Sequence, residues 1–444
     1  MSNAIVNKIR DAGVVGAGGA GFPTHIKVGA EAKLVLGNGA SCEPLLVSDV
    51  YLMEKMPEQV LRGLQLVVQC SGAKKGILCL KGKHKGAWES LEKALTKEFP
   101  EIELFELGNF YPAGDEHVLV HEVTGKTVPQ GGIPLDVDVI VDNVETLLNI
   151  EKAVDEGLPV TQRYLTVTGE LRSPMITKVP IGTPIGEILD YAGGATTNDF
   201  LVVIGGPMMG TVTADLSTPV TKTTTALIVL PKLHNIIQGK IADPERILNI
   251  TKTVCCQCSR CTDLCPRHLL GHDIEPHKIM RSLSWAFDLA MEIFQKAFFC
   301  SECGICEKYA CPMMISPREV NARIKQELMR KGVKGKRDER HYKPSSFRNL
   351  RKVPTKRLIE KLNIKKYDFP LSFKEFRKDL SEVTIPLKQH IGTPAVPTVL
   401  EGEKTRKGNL IADISENAVG AKLHSPINGV VTSVDNAIKI QAAA

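Results

Sequence analysis

The chain of 444 residues contains no uninterrupted apolar run near the ~20 residues that cross a bilayer. Its opening, Met1-Ser2-Asn3-Ala4-Ile5, lacks the basic-then-apolar layout of an export signal. No transmembrane segment and a cytoplasmic location are therefore expected. Tandem repeats and low-complexity tracts are also missing. Charge of one sign is scarce except in one place: residues 330–379 hold eighteen Lys and Arg against six Asp and Glu, a local +12 within an overall +6, leaving −6 for the remainder. No nucleic-acid motif accompanies that run, so a solvated basic linker or a docking surface for an acidic partner is expected, and no nucleic-acid partner.

What is present is ordinary in bulk and specific in detail. A hydrophobic content of 43% and a charged content of 24% fit a folded globular protein. The length exceeds what one core organises and suggests about three domains, with four allowed. Of twelve cysteines, nine fall between Cys255 and Cys311. Without an export signal, tight Cys-x-x-Cys spacing points to metal ligation rather than disulfides.

The first group reads Cys255-x-x-Cys258-x-x-Cys261-x-x-x-Cys265-Pro266, the bacterial ferredoxin spacing for [4Fe-4S] ligation. The second, Cys300-x-x-Cys303-x-x-Cys306-x-x-x-x-Cys311-Pro312, is one residue longer in its last gap. Because the fourth cysteine of such a run ligates the other cluster in two-cluster ferredoxins, the expected pairing is crossed. Cys255, Cys258, Cys261 and Cys311 would hold one cluster, and Cys300, Cys303, Cys306 and Cys265 the other. Zinc knuckles or plain buried cysteines are the alternatives, but zinc modules use paired Cys-x-x-Cys units rather than two quartets ending in Cys-Pro. Cys256 falls outside the register. Cys42, Cys70 and Cys79 read as small buried apolar residues.

Hydrophobic periodicity divides the chain. Residues 1–158 alternate helical and strand patterns, with strands at Leu34-Val35-Leu36, Gly76-Ile77-Leu78-Cys79-Leu80 and from Val137 to Val141, and a helix from Met56 to Gln69. Residues 159–235 change to short β-branched runs around one helix from Ile185 to Ala192, a small α+β unit. Residues 245–330 carry the cysteines in helical sequence, 331–380 form the basic linker, and 381–444 are short strands punctuated by Gly402, Gly408, Gly420 and Gly429. The expected class is multidomain α/β and α+β.

Near the N-terminus stands Gly16-Ala17-Gly18-Gly19-Ala20-Gly21-Phe22-Pro23-Thr24, followed by His25 and Lys27. Glycines let amides approach a phosphate, and a lysine can neutralise it, although such loops also serve as plain turns. This stretch resembles the flavin-mononucleotide loop of the NADH-oxidising subunit of complex I and its Rnf-complex relatives. Three more segments match in order: Asn38-Gly39-Ala40-Ser41-Cys42-Glu43-Pro44, Tyr111-Pro112-Ala113-Gly114-Asp115-Glu116 and Asp142-Asn143-Val144-Glu145-Thr146. The resemblance implies an FMN- and NADH-binding α/β domain in which Gly16, Gly18, Gly19, Lys27 and Asn38 cradle the phosphate and ribityl chain. Glu43, Tyr111, Gly114, Glu116, Asn143 and Thr146 would complete the pocket. A flavin-free relic of the same fold is the alternative. One departure is Ser41, which stands where relatives carry an acidic residue near the nicotinamide.

Residues 159–235, with the segment Gly205-Gly206-Pro207-Met208-Met209-Gly210, resemble the soluble-ligand-binding β-grasp module of the same superfamily, and its methionines read as packing. The C-terminal strands resemble a barrel-sandwich hybrid, but Ser415-Glu416-Asn417-Ala418 offers no lysine where such domains are biotinylated or lipoylated. The domain therefore reads as structural or as a docking surface. Its first stretch, Pro386-Leu387-Lys388-Gln389-His390-Ile391-Gly392, is similar to one in an Rnf-complex relative, where it stands at the opposite end.

With this domain order, the chain resembles the cobalamin-reductase family of propanediol-utilisation microcompartments. That resemblance implies an NADH-dependent oxidoreductase passing electrons through FMN and two [4Fe-4S] clusters to cobalamin as substrate, with an adenosyltransferase and a microcompartment shell as partners. The residues themselves do not identify cobalamin, since the Asp-x-His-x-x-Gly pattern of corrinoid carriers is missing. An Rnf-like relay to another reductase or membrane partner and a non-enzymatic assembly protein remain open at this point. No catalytic role is assigned to His25, His117, His268 or His272.

Overall fold

The structure is a computed structural model that describes the whole chain except residues 1, 96–97, 286–287, 336, 338–341, 417 and 444. The first domain is built on β1 (Leu34–Gly39), β2 (Gly76–Lys81), β3 (Ile102–Leu107) and, after the short β4 (Phe110–Tyr111), β5 (Val139–Asn143). β1, β2, β3 and β5 form a parallel sheet in the order β3-β2-β1-β5. β1 and β2 are almost wholly buried, as parallel strands covered on both faces must be. The helices Pro57–Ser71 and Val144–Glu151 cover one face, with Val60, Leu64, Val67, Leu147 and Ile150 in the core. The N-terminal helix Ser2–Asp11 joins the same core through Ile9.

The chain runs from β1 outward to β3 and then returns to the other side of β1 as β5. The crevice between the carboxyl ends of β1 and β5 is thus a topological switch point, where open parallel sheets bind ligands. Asn38 and Asn143 face each other in register at that point.

The next unit is a five-stranded mixed sheet spanning residues 162–231, with the helix Ile185–Tyr191 packed on one face through Ile185, Ile188 and Leu189. Its other face contributes Val203, Ile228 and Leu230 to a core shared with Tyr111, Met208 and Cys303. The cysteine segment follows as short helices around Ile279, Phe294, Val320 and Leu328. At the end, strands 382–386, 404–405, 429–434 and 437–442 form one sheet and 396–397, 410–413 and 423–424 another, closing on Val383, Ile411, Leu423, Val431 and Ile438.

The expected solvated linker at 331–380 is corrected. Val353 pairs with Tyr111, the helix Thr355–Lys361 follows, and Val353, Leu358, Ile359, Leu362, Ile364 and Tyr367 are buried in the shared core. Farther on, the Ile176 amide donates to Ser372 and the Lys374 amide to Ile176, so the segment pairs with the edge strand Met175–Pro180. Lys356, Arg357, Lys361 and Lys365 are exposed while Leu358, Ile359, Leu362 and Ile364 are buried, and the segment works as a belt across three domains.

Candidate functional site

The glycine loop lies over the switch-point crevice. The Ala17 amide donates to Thr146 Oγ1 (2.9 Å), and the Gly16 amide to the Phe22 carbonyl (2.9 Å). A β-carbon at Gly18 would lie 2.9 Å from Asn143 Nδ2, whereas one at Gly19 would meet open space. Asn143 caps the helix Val144–Glu151 through its Oδ1 and donates to Asp49 Oδ2 (2.8 Å). Asn38 Nδ2 donates to the Gly114 carbonyl (2.9 Å), and a side chain at Gly114 would crowd Ala40, Asn38 and Cys42. Among the described residues, the Gly18 amide has no protein acceptor. A loop with a free amide, glycine-walled, at the carboxyl end of a parallel sheet fits a flavin phosphate.

Lys27 lies in this wall, but its ammonium is already engaged. It donates to the Val141 carbonyl (2.7 Å) and pairs with Asp142 (3.3 Å) and, more distantly, Glu116 (3.8 Å). Burial opposes its charge, yet the two carboxylates outweigh burial and hold its pKa above the ordinary lysine value. Its ammonium thus faces one buried carboxylate, Asp142, and one exposed one, Glu116.

Glu43 reaches from the first domain to the second. Its carboxylate accepts from the Met208 and Met209 amides (3.0 Å each), and Tyr111 Oη lies 3.4 Å away. Burial pushes its pKa up. A β-carbon at Gly206 would collide with this carboxylate. Glu43 thus anchors the Gly205–Gly210 turn of the second domain to the flavin-type domain. Met208 is buried and Met209 is half exposed. Ser41 Oγ donates to the Leu46 carbonyl (2.7 Å) from a left-handed backbone, φ 40°.

Tyr111 carries the contact onward. Its hydroxyl donates to the Cys303 carbonyl at 2.7 Å, inside the second cysteine loop. Beside it Arg267, two residues past Cys265, pairs with Asp115 (2.9 Å), the N-cap of the helix Glu116–Thr124. The pocket and one cysteine group are in direct contact.

The two cysteine loops share a backbone. Gln257 and Glu302, each two residues past the first cysteine of its loop, have φ of 56° and 57°; Ser259 and Gly304, each four past, have 58° and 79°. Left-handed conformations at non-glycine residues cost on the order of 1–3 kcal/mol each and gather at functional sites. Cys255, Cys258, Cys261 and Cys311, and with them Cys256, line one recess together with His277, Met280 and Ile315. Burial, then the neighbouring Cys255, Cys311 and Cys258 sulfurs, push the Cys261 thiol up to about 12. In the other group, burial and then the Cys300 sulfur push Cys265 up to about 12, and Cys306 is raised by burial and by Cys300, Cys303 and Cys265. Among the described residues no three such side chains converge on one point. Cys303 and Cys306 are buried, whereas Cys258 and the surplus Cys256 are exposed. Cys70 and Cys79 are buried away from both sets, and Cys42 lies under Gly114.

Several charged residues at the site carry no local motif. Arg163, 1% exposed, donates to the Ala17 and Thr224 carbonyls (3.1 and 2.9 Å) and pairs with buried Glu145 (3.2 Å). Lys81 ends β2 fully buried, with burial lowering its pKa to about 8. Of the histidines, His117 and His272 stack edge to face at 5.4 Å, and His272 Nε2 bonds the Val128 carbonyl (2.9 Å), a packing arrangement. In the C-terminal hairpin, Asn417 lies outside the described residues.

Pocket, cysteine loops and their junction define a class, a flavin and iron–sulfur electron-transfer protein, and comparison with known proteins agrees domain by domain. Residues 9–152 match the Nuo51 FMN-binding domain, 164–212 the SLBB domain, 254–316 the 4Fe-4S dicluster domain and 374–444 the RnfC barrel sandwich hybrid domain. The chain is 42% identical to the cobalamin reductase PduS of Citrobacter freundii, over 98% of this chain and 95% of that one, and equally to that of Salmonella typhimurium. It is 36% identical, over 60% of its length and 59% of the relative's, to a component of the Na(+)-translocating ferredoxin:NAD(+) oxidoreductase complex of Acetobacterium woodii. An NAD+-reducing [NiFe]-hydrogenase chain aligns with a TM-score of 0.49 at 20% identity, covering 73% of this chain and 66% of that one. The chain belongs to the PduS cobalamin reductase family.

Proposed function

We propose that the protein takes electrons from NADH at an FMN held in the switch-point crevice, passes them through two [4Fe-4S] clusters and delivers them to a corrinoid. The observation that carries this reading is the Tyr111 hydroxyl, bonded to the Cys303 carbonyl at 2.7 Å, which joins the wall of the flavin pocket to a cluster loop. When bound, FMN supplies the exchange between two-electron and one-electron chemistry that nicotinamide and clusters need.

The chain's own residues position and separate. Gly16, Gly18 and Gly19 shape the phosphate loop, Thr146 holds it, Asn143 packs against it at Gly18, and Asn38 with Gly114 forms the facing wall. Lys27 and Glu116 border the crevice, while Glu43 and Tyr111 close it toward the second domain. The crossed sets, Cys265 with Cys300, Cys303 and Cys306, and Cys311 with Cys255, Cys258 and Cys261, are the proposed ligands of the two clusters. The set that includes buried Cys303 and Cys306 adjoins Tyr111 and is the inner one; the set with exposed Cys258 is the outer one, where a large acceptor has access.

The domain limits proposed are 1–158, 159–235 with a β-grasp sheet, 245–330 with a ferredoxin-like two-cluster arrangement, and 381–444, with 331–380 as the belt. Corrinoid as a visiting substrate, an adenosyltransferase as the recipient and a position inside a microcompartment are proposed on the family's name and the resemblance. The test is anaerobic reconstitution with iron, sulfide and FMN analysis, followed by NADH titration with cob(III)alamin. About eight irons, one FMN and NADH-dependent cobalamin reduction are expected. Clusters and flavin without cobalamin reduction would refute the acceptor, and iron without flavin would refute the pocket.

A further inference from the structure

The glycine loop is held from outside its own domain. The Arg163 guanidinium donates to the Ala17 carbonyl (3.1 Å), and the Ile391 amide, from the C-terminal domain, donates to the Ala20 carbonyl (2.8 Å). A trans peptide points its carbonyl and the following amide in opposite directions. Fixing the Ala17 carbonyl therefore turns the Gly18 amide the other way, and fixing the Ala20 carbonyl does the same for the Gly21 amide. Neither amide has a protein acceptor among the described residues.

The hold on Ala20 is itself built. Gln389 Oε1 accepts from the Lys222 amide (2.9 Å), and the Gln389 carbonyl accepts from Thr223 Oγ1 (3.2 Å). Lys222 Nζ, fully buried, donates to both the Gly13 and Lys422 carbonyls (2.6 Å each), tying the start of the loop segment to the C-terminal domain. Gly21 has φ +74°, and a β-carbon there would lie 2.6 Å from the His390 β-carbon and from the Thr223 methyl. No side chain could stand between the loop and the segment that covers it.

We propose that the C-terminal barrel-sandwich domain is a clamp on the glycine loop, with Ile391 and Gln389 as positioning residues that aim the Gly21 amide at the phosphate of the flavin. The inference rests on the reading of this loop as the FMN cradle and gives the domain a role in cofactor retention. A flat packing interface would not require three carbonyls of one short loop segment to be fixed by donors from two other domains.

The test uses the full-length, anaerobically reconstituted protein, stripped of flavin and titrated by fluorescence with FMN and with riboflavin, which lacks the phosphate. Ile391→Pro deletes the amide; Ile391→Ala keeps it and trims a half-exposed side chain. Loss of one hydrogen bond to a charged group predicts FMN binding about tenfold weaker in Ile391→Pro, with riboflavin binding and iron content unchanged and Ile391→Ala like the parent. Gln389→Ala, which leaves the backbone intact, is expected to weaken FMN several-fold and carries the test should the proline variant fail to fold. Parental FMN affinity in both Ile391→Pro and Gln389→Ala would overturn the clamp, as would equal weakening of FMN and riboflavin. A parent chain that binds neither flavin would instead overturn the reading of the loop.

Discussion

Tyr111→Phe isolates the junction between pocket and inner cysteine loop. The ring stays in the shared core with Met208, Ile228 and Cys303, and only the hydroxyl is lost. The Cys303 carbonyl then loses its 2.7 Å donor in a place where Tyr111 is 1% exposed, so water is poorly placed to replace it. Leaving a buried acceptor unpaired costs about 1–3 kcal/mol. Felt locally, that is roughly a 5- to 150-fold increase in the opening equilibrium of the loop. Hydrogen exchange on the reconstituted protein is the assay: amides of residues 300–310 should exchange faster by that factor, while those of the strand pair 429–442 should not change. Exchange at 300–310 within about twofold of the parent would refute the claim that this hydroxyl fastens the loop.

Other perturbations probe the remaining links. Cys258→Ala and Cys303→Ala should each lose about four of about eight irons, but with NADH the surviving cluster should become reduced, by electron paramagnetic resonance, only in Cys258→Ala; the reverse pattern would overturn the inner and outer assignment. Gly18→Ala places a β-carbon 2.9 Å from Asn143 Nδ2 and should weaken FMN binding by about tenfold in a fluorescence titration, an unchanged affinity counting against the crevice. Asp115 is subject to burial, which raises its pKa, but Arg267 and His117 outweigh this and hold it below the ordinary value. The stabilisation from this depressed carboxylate is complete above about pH 4 and is lost as pH falls through the folded-state value. Arg267→Met should therefore shift acid release of the inner cluster to higher pH, and an unmoved midpoint would refute the link.

The parts of the site legible in the sequence are those where chemistry forces short spacing. Two cysteine quartets must keep their intervals to surround a cluster, and the glycine loop has no room for a side chain at Gly18, against Asn143, or at Gly21, against His390 and Thr223, so each is readable within a dozen residues. The strands Leu34–Gly39 and Gly76–Lys81 are equally plain, because parallel strands buried on both faces read as apolar runs. The contacts joining these parts are not readable. Tyr111 and Cys303 lie 192 residues apart, and Lys222 and Gly13 lie 209 apart. Nothing in the local pattern of any of these four residues marks its partner.

The basic segment shows why composition misled. A count of +12 over residues 330–379 averages two faces of one belt. Leu358, Ile359, Leu362 and Ile364 turn inward at helical spacing, while Lys356, Arg357, Lys361 and Lys365 stay in solvent. Arg348 and Lys352 are held by Glu122 of the flavin-type domain, and Lys366 and Tyr367 by Glu170 of the second domain. Each anchor pairs a charge with an adjacent apolar residue that is buried, Val353 in the first case and Tyr367 in the second. Surface ion pairs alone contribute little, so the buried residues provide the hold and the charges fix its register. The belt therefore binds the pocket, the second domain and the inner cysteine loop into one unit, which is what a short, fixed path between flavin and cluster requires.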